Sequence, residues 1–252
     1  MSEPAFSALK EKVALITGGS SGIGAATAHA LADKGARVVI GYHQGASRAE
    51  RLLAELPGTG HRAVQIILED SATIDRAAET IHESYGRADI LVNSAGFTRV
   101  IPVADLDALT DEIMDAILIA NVRGTFAVIR AMAPLLRESG AGVVVNVSSI
   151  AAFTGLGSSI AYCAAKAALD VITTSLGRAL APQIRVLSVS PGPVATDFVP
   201  GRDRAALENL AQRTPMKRVV EPDEVAAAIL ACVTHLKMST GTRIIVDGGT
   251  HL

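Results

Sequence analysis

The chain has 252 residues, of which 49% are hydrophobic and 19% charged, with a formal net charge of −2. That apolar share supports a sizeable buried core, and the near-balanced charge gives no field that would draw nucleic acid or an anionic membrane surface. No run approaches the roughly 18 consecutive apolar residues of a membrane span, and the opening Met1 to Lys12 lacks the apolar centre of a signal peptide.

Short β-branched runs alternate with longer alanine-rich amphipathic stretches along the chain. Val13–Ile16, Val38–Ile40, Ala63–Leu68, Ile90–Val92, Val143–Val147, Arg185–Val189 and Arg243–Val246 read as strands. Their continuous apolar character suits strands covered on both faces. Ala25–Lys34, Ala46–Leu56, Ile74–Tyr85, Asp111–Leu136, Ala161–Leu180 and Pro222–Val233 read as helices. Strand and helix in turn predict an α/β fold: one doubly wound parallel sheet of seven strands, in a single domain spanning residues 1–252. Residues 193–220 differ. They form a long, polar, proline-punctuated connection with a short helix near Ala205–Gln212. Its place after a strand's carboxyl end, where such folds bind ligands, marks it as a substrate lid.

Cys163 and Cys232 lie far apart without a CxxC pair, which suits a reducing cytoplasm rather than a disulfide framework. The six histidines share no ligand spacing and read as surface or loop residues, so no metal site is expected.

Chemistry concentrates in two places. The first strand runs into Thr17-Gly18-Gly19-Ser20-Ser21-Gly22-Ile23-Gly24, and a helix follows. Such a turn lets backbone approach a ligand closely, and the helix start offers N–H groups to a pyrophosphate. In the second place, Tyr162 and Lys166 stand four apart on a helix with small neighbours, sharing one face. A tyrosine with a reference pKa of about 10 needs positive charge nearby to work as acid and base near neutrality. Lys166 and an oxidised nicotinamide ring can supply it; a lowering of about two units corresponds to roughly 3 kcal/mol. Ser149, just past the fifth strand, can hold a substrate oxygen facing the phenol.

Together these residues resemble the short-chain dehydrogenase/reductase family, in its single-domain branch, over Val13 to Leu252. Thr17–Gly24 matches the cofactor turn, with Gly18, Ser20, Ser21, Gly22, Ile23 and Gly24 as contacts, and Tyr42 follows the second strand. Asn93-Ser94-Ala95-Gly96 resembles the family's NNAG, placing Asn93, Ala95 and Gly96 beside the cofactor. Asn121, Ser149, Tyr162 and Lys166 match the catalytic tetrad. Pro191-Gly192-Pro193-Val194-Ala195-Thr196 matches the PG motif, with Pro191, Gly192, Val194 and Thr196 toward the nicotinamide. The resemblance implies hydride transfer between NAD(P)(H) and a ketone or secondary alcohol. Tyr162 would be general acid in reduction and base in oxidation. Lys166 would bind the nicotinamide ribose and lower the Tyr162 pKa. Ser149 would orient the substrate oxygen, and Asn121 would hold a water of a proton relay. A homotetramer is also implied.

The sequence departs from the family pattern in places that bear on specificity. After the second strand, Ile40-Gly41-Tyr42-His43-Gln44 has no carboxylate for an adenosine ribose, which favours NADP over NAD. It has no arginine or lysine there either, so His43 or Arg48 is expected to serve the 2′-phosphate. Glu69 or Asp70 would face the adenine. The best-populated relatives of this shape are 3-oxoacyl-carrier-protein reductases. The basic residues they use to grip a carrier are missing at Ser139–Gly142 and Ala181–Gln183. Arg202, Arg204, Lys217 and Arg218 read as a solvated charged loop; Phe97, Phe153, Leu156 and Phe198 as candidates for an apolar wall. An enoyl reductase is disfavoured because such relatives space tyrosine and lysine more widely. A redox sensor that holds NADP(H) without turnover is the alternative from another class, and it is discriminated by the intact tetrad.

Overall fold

The computed structural model describes residues 8–252, so most of the polar opening stretch lies outside it. Seven strands form one fully parallel sheet: β1 (Val13–Thr17), β2 (Arg37–Tyr42), β3 (Arg62–Gln65), β4 (Ile90–Asn93), β5 (Gly142–Val147), β6 (Ile184–Pro191) and β7 (Arg243–Val246). Their order across the sheet is β3-β2-β1-β4-β5-β6-β7. The order reverses direction between β1 and β4, and that switch point opens a crevice at the carboxyl ends of the strands.

Helices cover both faces because the central strands are apolar on both sides. β1, β4 and β5 are buried at every position. On one face α1 (Gly22–Ala32) and α9 (Pro222–Thr234) close a core around Ile16, Ile40, Val92 and Val189. On the other, α3 (Ser71–Tyr85) and α5 (Thr125–Glu138) pack on Leu15, Leu91, Val144 and Val186. The remaining helices are α2 (Ala46–Glu55), α4 (Asp111–Leu118), α6 (Ala151–Thr154), α7 (Ile160–Ala179) and α8 (Arg204–Ala211).

Element ends differ from expectation by a few residues, with two consequences for the site. β3 stops at Gln65, not Leu68, so Ile66 to Leu68 leave the sheet and turn into the crevice. The long helix expected over Asp111–Leu136 is divided by a π-helical segment, Ile119–Gly124, which carries Asn121. Taken together, Asp111–Glu138 is 28 residues long and apolar enough by length and composition to cross a membrane, but much of it is buried inside the protein against the sheet. Two histidines do more than face solvent: His61 Nδ1 accepts the Val38 N–H at 3.0 Å, and His251 pairs with Asp247 at 2.7 Å. Both cysteines are free thiols.

Candidate active site

A cleft of about 940 Å³ runs along the switch point. At one end lies the glycine turn between β1 and α1. Gly18 has a φ of +63°, and a Cβ there would come within 2.9 Å of the Ala95 backbone. A Cβ on Gly24 would sit 2.2 Å from the Gly18 carbonyl oxygen. The turn closes only without side chains at these positions. Ser21 makes no side-chain hydrogen bond as N-cap of α1, so the first-turn N–H groups remain open to an anion at the positive end of the helix. The cradle therefore fits the pyrophosphate of a dinucleotide.

Gly18, Ser20, Ser21, Gly22 and Ile23 line this end with Ala95, Gly96, Pro191, Gly192, Val194 and Thr196. Gly24, Tyr42 and Asn93 do not line it. Gly24 is tucked beneath the turn, and Tyr42 packs partly buried against the α1-side core. Asn93 is buried in the sheet and donates to Asn146 Oδ1 at 2.9 Å, and Asn146 in turn donates to Thr173. Tyr42 and Asn93 thus support the strand ends from within.

The opposite end brings together Ser149, Tyr162 and Lys166, all on the cleft wall. α7 begins cleanly because the Ser159 hydroxyl accepts the Tyr162 N–H at 3.2 Å. Lys166 lies one turn further on, its Nζ 5.6 Å from the centre of the Tyr162 ring and 2.8 Å from the Val147 carbonyl oxygen. Asn121 is off the wall. Its amide donates to the Phe97 and Ile117 carbonyl oxygens at 2.7 and 2.8 Å, and its Oδ1 accepts the Phe97 N–H. Both amide hydrogens have acceptors, so the side chain staples the β4 loop to the π-segment.

This geometry matches known proteins along nearly the whole chain. A family described as enoyl-(acyl carrier protein) reductase matches residues 18–251. A protein named ketoacyl reductase 2 of the granaticin polyketide synthase, from Streptomyces violaceoruber, is 41% identical over 95% of this chain and 96% of its own. The D-threitol dehydrogenase of Mycolicibacterium smegmatis is 37% identical over 96% and 93%. A short-chain dehydrogenase from Burkholderia cenocepacia, solved with NADP, superposes with a TM-score of 0.86 at 35% identity, covering 97% of this chain and 99% of that one.

The chain is a short-chain dehydrogenase/reductase.

As such it is a nicotinamide-dependent oxidoreductase that moves a hydride between the cofactor and a carbonyl or alcohol carbon of a small molecule. The named activities of its relatives range over acyl and polyol substrates, so membership leaves the substrate open. The electrostatics of this short-chain dehydrogenase/reductase depart from expectation at the tyrosine. Burial pushes the Tyr162 phenol up to about 12, opposed by the Ser149 hydroxyl and by the positive charge of Arg202. Lys166 lies beside the ring, with its Nζ 5.6 Å from the ring centre. Burial pulls its own value down to about 8, and its ammonium is directed at Val147. Residues of the chain alone hold the phenol neutral.

Other residues on the wall were legible only in part. Of the two acidic candidates for the adenine side, Glu69 lines the cleft, whereas Asp70 caps α3 by accepting the Ala72 N–H at 2.9 Å. Ile66 and Leu68 form the slot beside Glu69, and an apolar pair just past a strand's end was the signal for them. Phe97, Leu156 and Phe198 make the expected apolar wall. Phe153 does not: its ring lies 4.3 Å under the Arg243 guanidinium and edge-on to His251. Arg202, read from sequence as part of a solvated loop, is half-buried on the cleft wall.

Proposed function

We propose that the chain is an NADP(H)-preferring ketone reductase in which Tyr162 is the general acid. The observation that carries this reading is the convergence of Ser149, Tyr162 and Lys166 on the wall of the cleft that the glycine cradle also lines. When bound, the reduced cofactor supplies a hydride to the carbonyl carbon. Ser149 donates a hydrogen bond to the carbonyl oxygen and fixes its direction. Tyr162, kept protonated by burial, gives its proton to the same oxygen as negative charge develops there. Lys166, with its Nζ 5.6 Å from the Tyr162 ring centre, would hold a nicotinamide ribose hydroxyl and supply positive charge to the phenolate left behind. Asn121 is a positioning residue for the loop bearing Ala95 to Phe97.

Preference for NADP rests on the adenosine end, where His43, Gln44 and Arg48 line the cleft. Gly45, with φ +91°, lets the Arg48 guanidinium fold back over it, with Nη2 3.1 Å from where a Cβ would stand. Arg48 is the positive group suited to a 2′-phosphate.

Residues 193–220 act as the lid. Its two ends are pinned by a parallel bridge between Val194 and Val220, which leaves the span between them to cover Tyr162. A homotetramer is supported by apolar residues exposed on the α5 and α7 faces, Phe126 and Val171 among them, and by the open edge of β7 with Ile245; a monomeric mass in solution overturns it. The free thiols of Cys163 and Cys232 suit a reducing cytoplasm. Reduction of a 3-oxoacyl group is the second reading, favoured by the granaticin ketoacyl reductase relative.

The test is a parallel fluorescence titration with NADPH and NADH, followed by a ketone panel. Tighter NADPH binding with ketone-dependent oxidation of NADPH supports the reading. Cofactor binding without turnover of any ketone turns it toward a redox sensor, and binding of neither cofactor by folded protein overturns it.

A further inference from the structure

The lid carries five basic residues, and the structure treats them differently. Arg204 pairs with Glu208 and Glu221 at 3.1 and 2.7 Å, and Arg218 pairs with Glu224. Arg213 and Lys217 are exposed and off the cleft wall. Arg202 alone of the five is half-buried, lines the cleft and has no carboxylate partner among the described residues. Its position is built. The Phe198 ring lies 5.9 Å from the Tyr162 ring, and the next residue, Val199, accepts the Arg202 N–H at 3.2 Å in a turn that Gly201 makes with φ +76°. The turn holds the guanidinium close enough to the phenol for each to shift the other's ionisation. The neighbouring acids do not neutralise it. Asp203 is engaged in capping α8, accepting the Ala206 N–H at 2.8 Å, and Asp197 is exposed without an ion pair.

A half-buried guanidinium without a counter-charge is costly unless a ligand completes it. We propose that Arg202 reads an anionic group, a carboxylate, on the substrate itself, so that the preferred substrate is a keto acid whose charge lies a few bonds from the reacting carbonyl. The position beside the general acid sets this anion next to the reacting carbonyl. The proposal rests on the ketone-reductase reading and deepens it by naming a substrate class.

The experiment compares 3-oxobutanoate, 4-oxopentanoate and 5-oxohexanoate with their methyl esters, in the wild type and in Arg202→Met and Arg202→Lys. In the wild type at least one acid is expected to exceed its ester in kcat/KM. Arg202→Met should lower that acid-to-ester ratio about 10- to 100-fold, the range for losing one charge-assisted hydrogen bond. Arg202→Lys should restore part of it, and the NADPH titration midpoint should stay within about twofold in both variants. Equal loss on acid and ester, esters preferred by the wild type, or a weakened NADPH midpoint with an unchanged ratio each overturn the proposal while leaving ketone reduction standing. Calorimetric titration of the acids into the NADP-loaded protein separates the two claims. Binding that depends on Arg202 without turnover sinks the reductase reading and keeps the anion site; no binding of any acid, with esters reduced, sinks the anion site alone.

Discussion

The two ends of the cleft are made in different ways. The cofactor end is built of backbone: glycines at the β1–α1 turn, the uncapped start of α1, and strand ends buried from below by Asn93 and Tyr42. The end proposed to hold substrate is built of side chains: Tyr162 and Lys166 on one face of α7, Ser149 after β5, and Phe198 and Arg202 from the connection after β6. Backbone geometry admits few sequences, because a single Cβ collides with main chain that cannot yield. Side chains on a surface-exposed connection can be exchanged with little cost to the fold. The first end declares a cofactor class; the second holds whatever is particular to this chain.

The severest way to break the comparison is Gly24→Ala. The new Cβ meets the Gly18 carbonyl oxygen at 2.2 Å, so loss of NADPH binding and destabilisation by more than about 4 kcal/mol are expected. Thermal unfolding and NADPH fluorescence check it, and a variant that binds normally shows the cradle is not set by backbone. Tyr162→Phe should lower kcat about 10³-fold while the NADPH midpoint moves only a few-fold, which locates the chemistry at the other end. In the free protein, ultraviolet titration should show one phenol ionising near pH 12 that this variant lacks. Adding NADP⁺ places positive charge nearby, so that step should move to lower pH.

Lys166→Met tests whether function and stability oppose each other at the substrate end. Burial disfavours the charged ammonium, bringing the folded value to about 8, below the ordinary value of 10.5. Stability therefore rises as pH increases from about 8 to 10.5, and at pH 7 the buried charge carries its full cost. The variant should lose activity about 10²-fold, yet melt at a higher temperature at pH 7, with that advantage shrinking toward pH 10.5. A lower melting temperature at every pH shows instead that the bond to Val147 outweighs desolvation. Arg48→Ala has the smallest expected effect, about a tenfold fall in the NADPH-to-NADH preference. An unchanged preference removes Arg48 from the 2′-phosphate.

Much of the fold was legible because apolar runs and helical periodicity are local signals. All seven strands and the doubly wound order follow from them, with the helix starts displaced by a turn where caps set the boundary, as Asp70 does for α3. The site was legible where spacing implies geometry. Tyr162 and Lys166 share a face because they lie four apart on a helix, and Gly18 to Gly24 form a turn because glycine alone tolerates it. Asn121 was legible by position, but the partners of its amide were not, because they depend on a π-segment and on the Phe97 backbone. Which of Glu69 and Asp70 faces the cleft was decided by a helix cap, and that Arg204 and Arg218 are paired while Arg202 is not was decided by where Glu208, Glu221 and Glu224 come to lie.

By itself, then, the sequence determined the α/β architecture, the cofactor turn and the tyrosine–lysine pair, since each depends on residues close in the chain. Tertiary structure decided the ionisation of Tyr162, the staple made by Asn121, the exclusion of Phe153 from the wall and the half-buried state of Arg202. Those properties depend on burial and on partners tens of residues away, and desolvation and charge pairing exist only once the chain has folded.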